Sequence, residues 1–247
     1  MKATQVEFRL RLLIIVLLYL LGFWPPWTWS TLRLAAPMST AWLALCTQLG
    51  QWQPLGVQGA TLLVTGLAIV CGLAGAALRI WGTAYLGASI VHAAPMHAGA
   101  VMASGPYRYV RNPLYLGSWL FSVSVAILMP PSGAIAFLLL LGFFYFRLIL
   151  GEEAFLAAQL GAPYLEYKQQ VPRLWLHVRP LIPNAPARPR WLASIAAEVL
   201  PLGYALSLAV LAWSYDPRLL VRCLLVCFGL SLVTRALLPK ESGTAAA

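Results

Sequence analysis

Two apolar runs, residues 114–129 and 133–150, are separated only by the cluster Pro130-Pro131-Ser132-Gly133, and this arrangement restricts the chain more than any other feature. Proline lacks the amide hydrogen that a helix interior needs, and the Pro-Pro-Ser-Gly order favours a turn, so the pair reads as a tight helical hairpin over residues 114–150. The chain around it is 61% hydrophobic and 10% charged. A soluble domain of this size cannot hide that much apolar surface, whereas lipid accepts it and leaves helices as the way to satisfy every backbone amide. The expected fold is therefore an all-α integral membrane protein, one domain over residues 1–247.

Five further features fill out the chain. A short basic start (Lys2, Arg9, Arg11) precedes an apolar run to about Trp24, and bulky Phe23-Trp24-Pro25-Pro26-Trp27 stands where a signal-peptide cleavage site would need small residues. This run is read as a retained first span with an aromatic belt. Residues 34–49, short and interrupted by Pro37, suggest an interfacial or re-entrant helix. Residues 59–78 are long enough to cross, with Ala68, Gly72 and Ala76 forming a close-packing stripe, and Arg79, Trp81 and Tyr85 are read as anchors at its end, before a long loop. Residues 192–213 and 219–238 form an additional C-terminal hairpin over residues 192–238. Six spans in one bundle are expected.

Charge distribution orients them. With the N-terminus inside, the inner segments hold 14 of the 17 basic residues, and the outer ones hold Arg33, Arg218 and Arg222. The bias predicts N-in and C-in, with residues 80–112 and 151–190 on the cytosolic side of a cell or inner membrane. The net charge of +10 is spread over loops between apolar runs, so nucleic acid is not an expected partner and membrane lipid is. Cys46, Cys71, Cys223 and Cys227 lie in apolar segments without His or Asp at ligand spacing and read as packing residues. His92 and His97 have no third ligand near in sequence, so no metal is expected. Glu198, inside the fifth span, is a carboxylate that its depth allows to reach the interface.

The hairpin also predicts a site. Arg111 lies about 20 residues before Pro131 and Glu152 about 21 after it, so both sit roughly 30 Å from the turn, at one membrane face. There the basic, aromatic, Gly/Pro-bounded loop Gly105-Pro106-Tyr107-Arg108-Tyr109-Val110-Arg111-Asn112-Pro113-Leu114-Tyr115-Leu116-Gly117 faces the pair Glu152-Glu153. Taken singly, the arginines are also topology charges, the tyrosines interface anchors and the glutamates a solvated helix end.

Together with Gly161-Ala162-Pro163-Tyr164-Leu165-Glu166-Tyr167-Lys168 and Val171-Pro172-Arg173, these blocks resemble the isoprenylcysteine carboxyl methyltransferase family and its relatives, the phospholipid methyltransferases. The resemblance covers residues 78–173 and implies a catalytic core there. It departs in having Asn112 where many members have His, and Leu174-Trp175-Leu176 where a Pro often follows.

The resemblance implies a membrane-embedded methyltransferase that binds S-adenosyl-L-methionine at the cytosolic mouth of the hairpin and takes a lipophilic acceptor from the bilayer. The expected cofactor-binding residues are Tyr107, Arg108, Arg111, Asn112, Pro113, Tyr115, Gly117, Glu152 and Glu153, with Arg111 and Glu153 acting catalytically as one unit. Carboxylates suit the cofactor's cations and ribose hydroxyls, a guanidinium its carboxylate, and aromatic faces its sulfonium. Both charged groups are expected to face a watery mouth. Three alternatives stay open: a phospholipid or other amine N-methyltransferase, a sterol-reductase-like NADPH enzyme, and a non-catalytic membrane protein. The Glu-Glu pair disfavours the reductase, because a dinucleotide's phosphates ask for cations.

Overall fold

The computed structural model describes residues 2–24, 39–87, 101–185, 187–214 and 216–237, and all regular structure among them is helical. His92, His97, the Pro25-Pro26-Trp27 belt and residues 34–38 lie outside the described residues. The chain divides into two compact units, residues 1–75 with 118–151, and residues 76–117 with 152–247.

In the first unit, α1 (Gln5–Arg9) begins with a reciprocal cap: Thr4 Oγ1 accepts from the Glu7 amide and the Glu7 carboxylate accepts from the Thr4 amide. Glu7 also receives Arg147 Nη2 at 2.8 and 2.9 Å, which ties the chain start to α6 (Pro131–Leu160). Helix α2 (Arg11–Phe23) packs through Gly22, where a Cβ would fall 2.6 Å from Met129 Sδ, and through Tyr19, whose ring lies 4.5 Å from that of Phe137. Helix α3 (Ala41–Gly50) starts against the hairpin turn. The amides of Ala41 and Trp42, orphans of a first helical turn, donate to the carbonyls of Met129 and Ile127 at 2.7 and 2.8 Å. Trp42 Nε1 then bonds Thr65 Oγ1 of α4 (Gly56–Leu86) at 2.9 Å. The hairpin is present: α5 (Pro113–Ala126) and α6 flank residues 127–130, and Trp119 lies against Gly142 of the other leg.

The second unit holds the remaining helices, α7 (Ala162–Gln170), α8 (Trp191–Ala197), α9 (Val199–Ser214) and α10 (Pro217–Leu237). Gly161, at φ 62°, a conformation that disfavours side chains, ends α6 and lets the chain fold back as α7. Tyr164, Tyr167 and Val171 form a small core under Leu156, Leu160 and Ile182. The last turns of α4 carry the motif loop: Gly105, φ 56°, stands so close to the Tyr85 ring that a Cβ would collide, and Trp81 meets Tyr109 at 5.5 Å. Gly203 leaves room for Cys227, so that cysteine packs between α9 and α10.

Several expectations change. Among the described residues, two helices, α4 and α6, are by length and composition able to cross a membrane, or three if the bent pair α8–α9 counts as one span; the other expected spans do not meet that measure on their own. Helices α2, α3 and α5 are apolar but shorter, and α10 carries three arginines. Residues 80–86 are helix, not loop: no proline interrupts Ile80 through Leu86, and Gly82 stays in the helix where it lies close against Leu114 and Pro113. Likewise α6 runs ten residues past Leu150, so Glu152-Glu153 lies within a helix rather than at its end. The expected fifth span is broken, with α8 and α9 meeting at 67° across Glu198.

Candidate active site

The motif loop and the segment after α7 run side by side in opposite directions. Arg111 N donates to Pro172 O at 2.9 Å, His177 N to Tyr109 O, Leu181 N to Arg108 O, and Ser104 Oγ to Ala185 O at 2.7 Å. Gly105 to Arg108 make a 3-10 turn with Pro106 as its second residue, after which the chain enters α5 at Pro113, buried and pre-set for a first helical position. Gly117, on the next turn of α5, is also buried.

Asn112, just before α5, turns its amide away from the helix. Asn112 Nδ2 donates to Glu153 Oε1 at 3.3 Å and to Arg173 O at 3.1 Å. Glu153 gathers the rest of the cluster: Arg173 donates through Nε and Nη2, the latter at 2.9 Å, and Arg111 Nε stands 3.4 Å away. Arg111 reaches further to Lys168 O at 2.8 Å. Glu153 is 2% exposed, so it does not face a watery mouth as expected; it is a buried carboxylate answered by two guanidinium groups. Burial of that charge is tolerable because Arg173 and Asn112 donate to both of its oxygens and the Arg111 guanidinium stands beside it as a second counter-charge.

The other predicted residues divide into two sets. Tyr115 O–H donates to Glu152 Oε2 at 3.1 Å, joining α5 and α6 beside the cluster. Arg108 instead donates to Ile182 O and holds the following loop. Tyr107 is buried, its carbonyl accepts from Tyr167 O–H at 2.9 Å, and its own hydroxyl has no hydrogen-bond partner. Burial, followed by the negative charge of Glu152, pushes that hydroxyl well above its ordinary titration range, so it remains a donor. Arg173, part of the Val171-Pro172-Arg173 block but not among the expected site residues, is held charged chiefly by its bond to Glu153. The signal was its place after Val171-Pro172 in a segment with no acid of its own.

A second buried carboxylate lies apart from this cluster. Glu198 is 1% exposed, buried within the protein; Arg79 grips both its oxygens at 2.7 and 2.8 Å, and Thr83 adds a bond at 3.0 Å. Arg79 is therefore an ion-pair partner within α4 rather than an anchor at its end. Among the described residues no group of three His, Cys, Asp or Glu could hold a metal.

Residues 56–162 match a family model described as phospholipid methyltransferase, from the first residue of α4 to the first of α7. Protein-S-isoprenylcysteine O-methyltransferase A of Arabidopsis thaliana is 37% identical over 76 residues, 30% of this chain, and the chain spans 38% of that relative's length. No solved structure matches.

Proposed function

We propose, from the match of residues 56–162 to a family model described as phospholipid methyltransferase, that this integral membrane protein transfers a methyl group from S-adenosyl-L-methionine to a lipophilic acceptor. The observation that carries the reading is the convergence of all three sequence blocks on Glu152-Glu153, through Asn112, Tyr115 and Arg173. The donor set suits this cofactor. Glu152, half-buried and beside the unpartnered Tyr107 hydroxyl, offers a carboxylate for its cations; Tyr107 offers a hydrogen bond; Tyr115 offers an aromatic face. Arg111 and Glu153 are committed to each other and to Arg173, and as a unit they hold the motif loop in place. When bound, the cofactor supplies an electrophilic methyl group.

The chain's own work is positioning. Glu153 fixes two guanidinium groups; Arg173, 31% exposed, is the one that can meet a negative acceptor head. The relative named above acts on isoprenylcysteine, and a prenylated cysteine carboxylate would be such an acceptor. It is already ionised at neutral pH, so the site needs orientation and exclusion of water rather than a general base. The proposed orientation places the site on the cytosolic side.

Calorimetric titration of purified protein with S-adenosylhomocysteine tests the cofactor site. Glu152→Gln should weaken binding by about 1.5–3 kcal/mol and Tyr107→Phe by about 1 kcal/mol, the ranges for charge-assisted and neutral hydrogen bonds. Binding of NADPH instead would overturn the reading. Transfer of labelled methyl to N-acetyl-farnesylcysteine, with phosphatidylethanolamine as the competing acceptor, separates the carboxylate from the amine.

A further inference from the structure

We propose that residues 174–178, with the arginines that follow, form an interfacial anchor for a negatively charged lipid surface. Trp175 is 77% exposed and Val178 97%, and Leu174 and Leu176 are exposed beside them. Four exposed apolar side chains in five residues would be poorly placed in water, and helical lipid-facing surface is not the explanation, because the described residues between 171 and 190 contain no helix. Irregular backbone cannot enter hydrocarbon with its polar groups unmet, so the depth that suits this segment is the headgroup layer, where tryptophan is favoured.

The exposure does not come from slack. His177 N donates to Tyr109 O and Leu181 N to Arg108 O, so the backbone is bonded to the motif loop while the side chains point away from it. Trp191 and Leu192, also exposed, repeat the apolar signal where the segment ends at α8.

Charge names the partner. Between Glu166 and Glu198 the sequence has no acidic residue. Arg173 is bonded to Glu153 and belongs to the acceptor side of the proposed site, while Arg179 and Arg188 are exposed on the same segment. Cations next to interfacial aromatics are complementary to anionic headgroups. On the function proposed above, this anchor would hold the site at headgroup depth and select acceptors whose reactive group lies there.

The test uses the full chain with Val178→Cys, its four native cysteines replaced by alanine, and an environment-sensitive fluorophore on the new thiol. The protein is reconstituted in phosphatidylcholine vesicles with and without phosphatidylglycerol. Emission should be blue-shifted and quenched by shallow-nitroxide lipid, not by iodide. The ratio of quenching by nitroxide-phosphatidylglycerol to nitroxide-phosphatidylcholine should fall roughly fivefold for each of Arg179→Gln and Arg188→Gln, the effect of one basic residue near an anionic surface. Trp175→Ser should reduce the blue shift, with helix content by circular dichroism unchanged. Iodide quenching in both bilayers would overturn the proposal, as would a ratio indifferent to the arginine variants. Protection that vanishes when the protein is diluted among vesicles would assign the surface to a second copy and also overturn it. None of these readouts depends on methyl transfer, so the anchor and the enzymatic reading fail separately.

Discussion

Glu153 decides the site at the scale of single residues, because a buried carboxylate between two guanidinium groups is worth most when it is removed. Glu153→Gln leaves Arg111 and Arg173 facing each other without the carboxylate they share, and it should cost about 3 kcal/mol of stability, the scale for breaking a buried pair from one side. Arg173→Gln should cost about 1 kcal/mol, since Arg111 still answers the carboxylate and Arg173 is partly solvated. Unfolding in a denaturing-detergent titration ranks the two; the reverse order would mean that Glu153 does not hold the cluster. The sequence showed which residue types meet here, because Arg111 and Glu152-Glu153 lie at equal distances from the hairpin turn. It did not show that Glu153 points inward and Glu152 toward Tyr115, since neighbours on a helix differ only by the tertiary surface each one faces.

Elements are held by charges as much as by apolar packing. The carboxyl of Glu7 is lowered below its ordinary value of 4.5, first by the Thr4 amide and then by Arg147. A lowered carboxyl contributes stability above its unfolded value and loses it as pH falls through the folded one, so α1 should loosen as pH drops below that ordinary value. A spin label at Val6, an exposed position, should become more mobile over that window in the wild type and show no such transition in Glu7→Gln. At the other end of the chain, Arg79 and Glu198 join α4 to the break between α8 and α9. Arg79→Met alone should destabilise by about 3–5 kcal/mol, and the double variant Arg79→Met/Glu198→Met by less, because the second change removes the stranded charge. Additive losses in the detergent titration would refute that coupling. The break was legible only in part: residues 192–213 read as one apolar run, with Pro201 and Gly203 beside Glu198 as helix-disturbing residues, and at the 67° bend Ser194 and Glu198 dock onto Ile80, Arg79 and Thr83.

Across the whole molecule, topology is the quantity that charge bias predicts and that helix length alone does not. Cysteines placed at Gln169 or Asn184, both exposed, should react with impermeant maleimide only after the membrane is opened. Labelling in intact cells would move the site to the opposite face. By itself the sequence determined the helical membrane class, the hairpin and the meeting of the three blocks, because hydropathy, proline and distance along a helix are local quantities that survive any packing. Tertiary structure alone decided that Arg173 joins Glu153 and that Glu198 is buried against Arg79. Each of these depends on a partner far away in the chain, and the free energy that selects the partner, desolvation set against a buried charge pair, exists only once both are brought together.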